Sequence, residues 1–224
     1  MAESKISAKL IKDDEKELKL YQDYLDGLAQ KNPVSSEVFS NKGVEHASIL
    51  MATLLANTDR QISMYCQGLR PGILCGKHEG DGNGYEGSYW FEFKKFFKER
   101  IKSDSFTKGS IRILIQKKDW IGNAPFRIIR DALVDPKLAE KIQVKLISNE
   151  ARKNIEKVLG EDKDVNYNFS IYDNIAFRLE YEPDNYRALG SFNSPLWCSM
   201  LLELFDDAFK TATDINNDIL KQTA

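Results

Sequence analysis

Between Phe177 and Asn193 the chain reads FRLEYEPDNYRALGSFN, and five of its polar side chains are spaced so that they could meet. Side chains alternate along a strand, so Arg178 and Glu180 share one face of an extended segment. Asn185 falls in the loop that follows, and Ser191 and Asn193 again share a face. Each residue type has a chemical use. A carboxylate such as Glu180 works as a general acid or base. A guanidinium such as Arg178 clamps an anion. Amides and hydroxyls such as those of Asn185, Ser191 and Asn193 hold charged oxygens. The segment holds neither an imidazole nor a thiol, and a guanidinium is not a nucleophile at neutral pH. Arg178 and Glu180 can instead answer each other as a salt bridge. That closed arrangement is the favoured reading.

A second constellation is basic. Lys94, Lys95, Lys98, Arg100 and Lys102 cluster around one helix, and Lys117, Lys118 and Arg127 follow. Together they could make a face for a nucleic-acid backbone, with Tyr85, Tyr89 and Trp90 near enough to stack bases. A solvated helix face is the plainer reading. Cys75-x2-His78 is half a zinc site without a second half nearby, so neither a metal nor a cofactor is expected. The segment from Arg70 to Ser88 holds six glycines; it reads as a loop and a second place for partner or ligand contact. His46 reads as a satisfied histidine near the start of an apolar helix.

Composition narrows the classes. A net charge of -2 gives no overall pull toward nucleic acid or anionic lipid. No apolar run approaches the roughly 18 to 20 residues that a membrane span needs. Cys66, Cys75 and Cys198 are an odd number without framework spacing, which suits reduced thiols and a cytoplasmic protein.

The elements that must position these residues are legible in outline. Leu18, Tyr21, Leu25 and Leu28 have helical spacing, and Asn32-Pro33 ends that helix. Residues 1–42 are therefore an N-terminal helical arm and loop, and 43–224 a single α/β domain. Val44–Asn57 is an apolar helix and Gln61–Leu69 a buried strand. Tyr89–Ile101 is an amphipathic helix. Ile111–Gln116 and Ile142–Ser148 are strands with helical pieces between them, and Glu150–Leu159 is a helix. Tyr167–Tyr172 and Ile175–Glu182 form a hairpin around Asp173-Asn174. Ala188–Phe192 is a last strand. Leu196 to about Thr213 is a long helix entered through Ser194-Pro195. Alternating strands and helices predict a layered α/β domain with a mixed, mostly parallel sheet flanked by helices.

The frame Arg178-x-Glu180-x4-Asn185, then Gly190-Ser191-Phe192-Asn193, then a helix, resembles the phospholipase D superfamily. That family carries H-x-K-x4-D followed by G-S-x-N. Here Arg stands for His, Glu for Lys and Asn for Asp, and the gap before Gly190 is shorter. The resemblance runs over roughly Val44 to Lys210. It implies a single repeat of a phospholipase D-like fold, a degenerate site and a homodimer that pairs two such sites. It implies a catalytically inactive binding or assembly module, for instance an accessory protein of a bacterial anti-phage or mobile-element system. Protein and nucleic-acid partners stay open at this point. Two other readings are a repurposed enzyme, with Glu180 as acid or base and Arg178 as anion clamp, and a nucleic-acid binder using the Lys94–Lys102 face.

Overall fold

The computed structural model describes residues 2–41, 43–69, 88–119, 121–160, 167–182 and 186–222, with the side chains of 2–15 and of Ser88 outside that set. The elements run α1 (Ala2–Ala29), β1 (Phe39–Asn41), α2 (Val44–Ala56), β2 (Ile62–Cys66), α3 (Ser88–Lys98) and a 3-10 turn (Arg100–Lys102). There follow β3 (Ile111–Ile115), α4 (Ala124–Leu133), α5 (Pro136–Ala139), β4 (Ile142–Leu146), α6 (Asn149–Leu159) and β5 (Asn168–Tyr172). The chain closes with β6 (Ala176–Glu182), β7 (Arg187–Ser191), α7 (Pro195–Thr211), β8 (Thr213–Asp214) and α8 (Asn216–Leu220).

The eight strands form one mixed sheet in the order β1-β7-β6-β5-β2-β3-β4-β8, with helices on both faces. The expectation of a mostly parallel sheet is corrected. Only β2–β3 and β3–β4 pair parallel, and the other five pairings are antiparallel. The cause is connection length. Helical crossovers separate β2, β3 and β4, whereas β5, β6 and β7 follow one another through short turns that can only reverse the chain. Residues Phe39–Asn41, expected as loop, instead pair with β7 as an edge strand.

α2 is apolar almost all round, as a helix must be when it is covered on every side. It lies between the sheet, α1 and α3, and Ala47 through Leu55 are all buried. Arg100 closes its C-terminal end, donating to Leu55 O at 2.5 Å and, just past the helix, to Thr58 O. One core fills the face under α1 to α5, including Leu25, Leu28, Leu50, Phe93, Phe96, Phe126 and Ile129. The other lies under α6 and α7, around Tyr65, Phe169, Phe177, Leu201 and Phe205. Arg112 pins α7 to its face of the sheet. It donates to Asp206 at 2.6 Å and to Ser63 Oγ at 2.8 Å, and lies against the rings of Phe205 and Phe209.

Candidate functional site

The site is built on β6. Its alternation puts Phe177 and Leu179 into the α7 core and turns Arg178 and Glu180 toward the α1–α3 face. Both are buried, at 5% and 2% exposure. Arg178 Nη2 donates to Glu180 Oε1 at 3.0 Å and to Tyr186 O at 3.4 Å. Asn168 Nδ2 donates to Glu180 Oε2. On the neighbouring strand, Asn168 Oδ1 accepts from Gln67 N at 2.9 Å. Asn41 Nδ2 also donates to Tyr186 O. A polar thread therefore runs Gln67–Asn168–Glu180–Arg178–Tyr186–Asn41 across the sheet.

Tyr186 reaches its place in the thread with a φ of 55°. A non-glycine residue rarely adopts that conformation, and here its carbonyl accepts two donors.

Register brings the partners together. Asn168 pairs with Glu180 and Ser170 with Arg178 across β5–β6. Ala188 pairs with Glu180 and Gly190 with Arg178 across β6–β7. The hairpin turn differs from the expected Asp173-Asn174. Tyr172 pairs with Ala176, so three residues form the turn, closed by Ile175 N donating to Tyr172 O at 3.1 Å. Asp173 ties this turn to the start of β2. Its carboxylate accepts from the backbone N–H groups of Asp59, Arg60 and Gln61, each at 2.8 Å.

The remaining residues of the frame lie apart. Ser191 pairs with Phe177 and so faces the α7 side, fully buried. Asn193 Nδ2 donates to Val34 O at 3.1 Å, so it anchors the loop after α1. Gly190 has a steric role. A Cβ there would stand 2.8 Å from the Phe39 ring and 3.1 Å from Phe177 O. Asn185 lies outside the described residues.

Aromatic groups surround Arg178. Tyr21 of α1, Tyr89 of α3 and Tyr172 of β5 all feel its charge, which pulls against the larger effect of burial. The phenols of Tyr21, Tyr89 and Tyr172 are all raised, first by loss of water. Such groups line the pair without offering it a base.

The basic residues do not form one face. Ile101 O and Ser103 O accept from Lys141 Nζ, just before β4, so Lys102 sits where β3 and β4 begin. Lys117 and Lys118 follow the other end of β3, about 16 Å away along a strand of this length. Lys118 pairs with Asp218 at 2.5 Å and Lys95 with Glu92 at 3.9 Å. Lys94 stands over Trp90 at 5.4 Å, while Lys98, Lys102, Lys117 and Arg127 are exposed. Trp90 and Tyr89 are buried against Phe93. The glycine-rich segment with Tyr85, Cys75 and His78 lies outside the described residues. Among the described residues no group of three or more His, Cys, Asp or Glu side chains could hold a metal, and no helix is long and apolar enough to cross a membrane.

Sequence reasoning missed Asn168, Tyr186, Asn41 and Gln67. Only Asn168 carried a usable signal, because counting outward from the correct three-residue turn places it opposite Glu180.

No protein-family model and no curated protein matches the chain. Among solved structures, the fold is similar to that of a phospholipase D family member, Nuc from Salmonella typhimurium. The TM-score is 0.45 and the identity 14%, over 80% of this chain and 98% of that one. It is also similar to TrmBL2, an archaeal chromatin protein that shows a novel mode of DNA binding, with TM-score 0.45 and 14% identity. That likeness spans 94% of this chain and 64% of the other.

Proposed function

We propose that this chain is a catalytically inactive, phospholipase D-like binding and assembly module that works as a homodimer. One observation carries the reading. The two strand positions that would present nucleophile and phosphate ligand hold Arg178 and Glu180, buried and bonded to each other. Phosphodiester cleavage through a covalent intermediate needs a nucleophile and a proton donor at phosphorus, and this pair supplies neither. Glu180 would also repel the phosphate that a lysine would attract.

The dimer part of the reading draws on α7. Near the start of α7, just past Asn193, Leu196 is 82% exposed, with Trp197 at 38% and Met200 at 39%. Apolar side chains clustered on one exposed surface mark a contact site more often than scattered ones do. An accessory role in a bacterial defence or mobile-element system belongs to the same proposal and rests on analogy of fold.

The experiment is a hydrolysis assay on bis-p-nitrophenyl phosphate, with and without divalent metal. No turnover above buffer is expected. Turnover that vanishes in Glu180→Gln or Arg178→Ala would instead establish the repurposed-enzyme reading. Salt-sensitive binding of DNA, lost when Lys98 and Lys102 become Ala, would favour the nucleic-acid reading.

A further inference from the structure

We infer that His46 is a pH-responsive latch that fastens the N-terminal helix to the body of the fold. α1 docks on α2 through Leu25 and Leu28, both in the core. Gln22 Nε2 adds a bond to Thr53 Oγ1 at 3.2 Å. Further toward its N-terminus the Tyr21 hydroxyl donates to Ser40 O at 3.4 Å, and His46, in the first turn of α2, adds to the grip. The imidazole is stacked on Tyr21, with centroids 4.3 Å apart and planes 11° from parallel. Its Nε2 is 3.9 Å from Glu17 Oε1. The imidazole side chain is only 12% exposed, while Glu17 is 58% exposed. Among the described side chains of α1, Glu17 is the first to reach another element.

The charges around the ring set the sign. From α1 come the Glu17 carboxylate and the face of Tyr21, and both favour a cation. On its own helix Glu45 is an acid in the first turn. It offsets the positive end of the α2 dipole, which disfavours a cation. α3 meets α2 through Tyr89, whose N–H donates to Ser48 Oγ at 3.1 Å. On the sheet side Arg178 and Glu180 already answer each other. Protonation of His46 therefore adds attraction across the α1–α2 seam, and acid tightens the arm at the Glu17 end of its described side chains.

The test uses the full chain. The chain has two histidines, so the His46 resonance is assigned by its loss in His46→Gln, and its titration is followed by NMR. Neutralising the partner in Glu17→Gln should lower the His46 midpoint by about 0.3 pH unit or more. Amide exchange over Leu18–Leu28, corrected for its intrinsic pH dependence, should slow in the native protein between about pH 7.5 and about pH 5.5. His46→Gln should lack that slowing. An unmoved midpoint in Glu17→Gln, or slowing that persists in His46→Gln, overturns the inference. So does α1 protection that falls with acid.

Discussion

Asn168 and Glu180 face each other across the β5–β6 hairpin, and the Asn168 amide nitrogen donates to the carboxylate oxygen that Arg178 leaves open. Both oxygens of a buried carboxylate are thereby satisfied, one by charge and one by an amide. This second contact closes the carboxylate side of the pair, while on the other side the buried Arg178 Nε has no hydrogen-bond partner among the described residues.

Removing one member should be costly. Glu180→Ala leaves a buried guanidinium without its counter-charge and should destabilise by about 3 to 5 kcal/mol. Replacing both residues together, as Arg178→Met with Glu180→Leu, should come close to neutral. Denaturant unfolding of the three proteins checks this. A single variant as stable as the parent would show that the site is open and solvated.

Gly190 should resist substitution for a steric reason. Gly190→Ala places a methyl against the Phe39 ring and the Phe177 carbonyl. Overpacking of this kind costs about 1 to 3 kcal/mol. Phe39→Leu should recover part of that loss, because only the backbone contact then remains. Thermal melts of the single and double variants measure the recovery.

Asp173 joins the hairpin turn to the entrance of β2 through three backbone donors. Asp173→Ala should lower stability by about 1 to 3 kcal/mol, with Asp173→Asn between it and the parent. Urea midpoints at constant m-value give the ranking.

Two thiols predict an alkaline limb. Burial pushes the thiols of Cys66 and Cys198 up to about 12 from an ordinary value near 9.0. For an acid raised on folding, the stability is complete below the unfolded value. It is lost as pH climbs through the folded one. Unfolding free energy should thus fall between about pH 9 and about pH 12, less steeply in Cys198→Ala. Neither thiol should react with iodoacetamide near pH 8 in the native state, and both should in denaturant.

The apolar end of α7 predicts the assembly state. Light scattering should give a mass near twice the 25.6 kDa chain. Trp197→Glu with Leu196→Asp should return it to one chain without lowering helix content. A parent of single-chain mass at micromolar concentration contradicts the dimer.

Much of this was legible from period alone. Alternation was enough to put Arg178 and Glu180 on one face, because a strand has no other choice. The apolar helix from Val44 and the proline-led helix after Ser194 were equally plain. Register was not. Reading Asp173-Asn174 as the whole turn sets Tyr167 opposite Glu180, whereas the third turn residue, Ile175, slides Asn168 into that place. A slip of one residue exchanges every partner on a face. Convergence of Ser191 with Arg178 failed for a related reason, since pairing with Phe177 assigns Ser191 to the other face. The basic face failed because spacing along the chain does not show that β3 separates Lys102 from Lys117. β1 was hidden by its length, since three residues carry no period.

The thread from Gln67 to Asn41 has a consequence for how the sheet comes apart. β1 is a three-residue edge strand, and such edges ordinarily fray independently of the centre. Here Asn41 and Arg178 share one carbonyl acceptor, Tyr186 O, and the Phe39 ring sits where Gly190 leaves space. Peeling β1 away would disturb the environment of a buried charge four strands from the parallel seam's far side, so the rim and the middle open in a single step. The amides along the β1 edge would then exchange on the timescale of whole-molecule unfolding, a mechanical stiffness that a three-residue edge strand does not suggest.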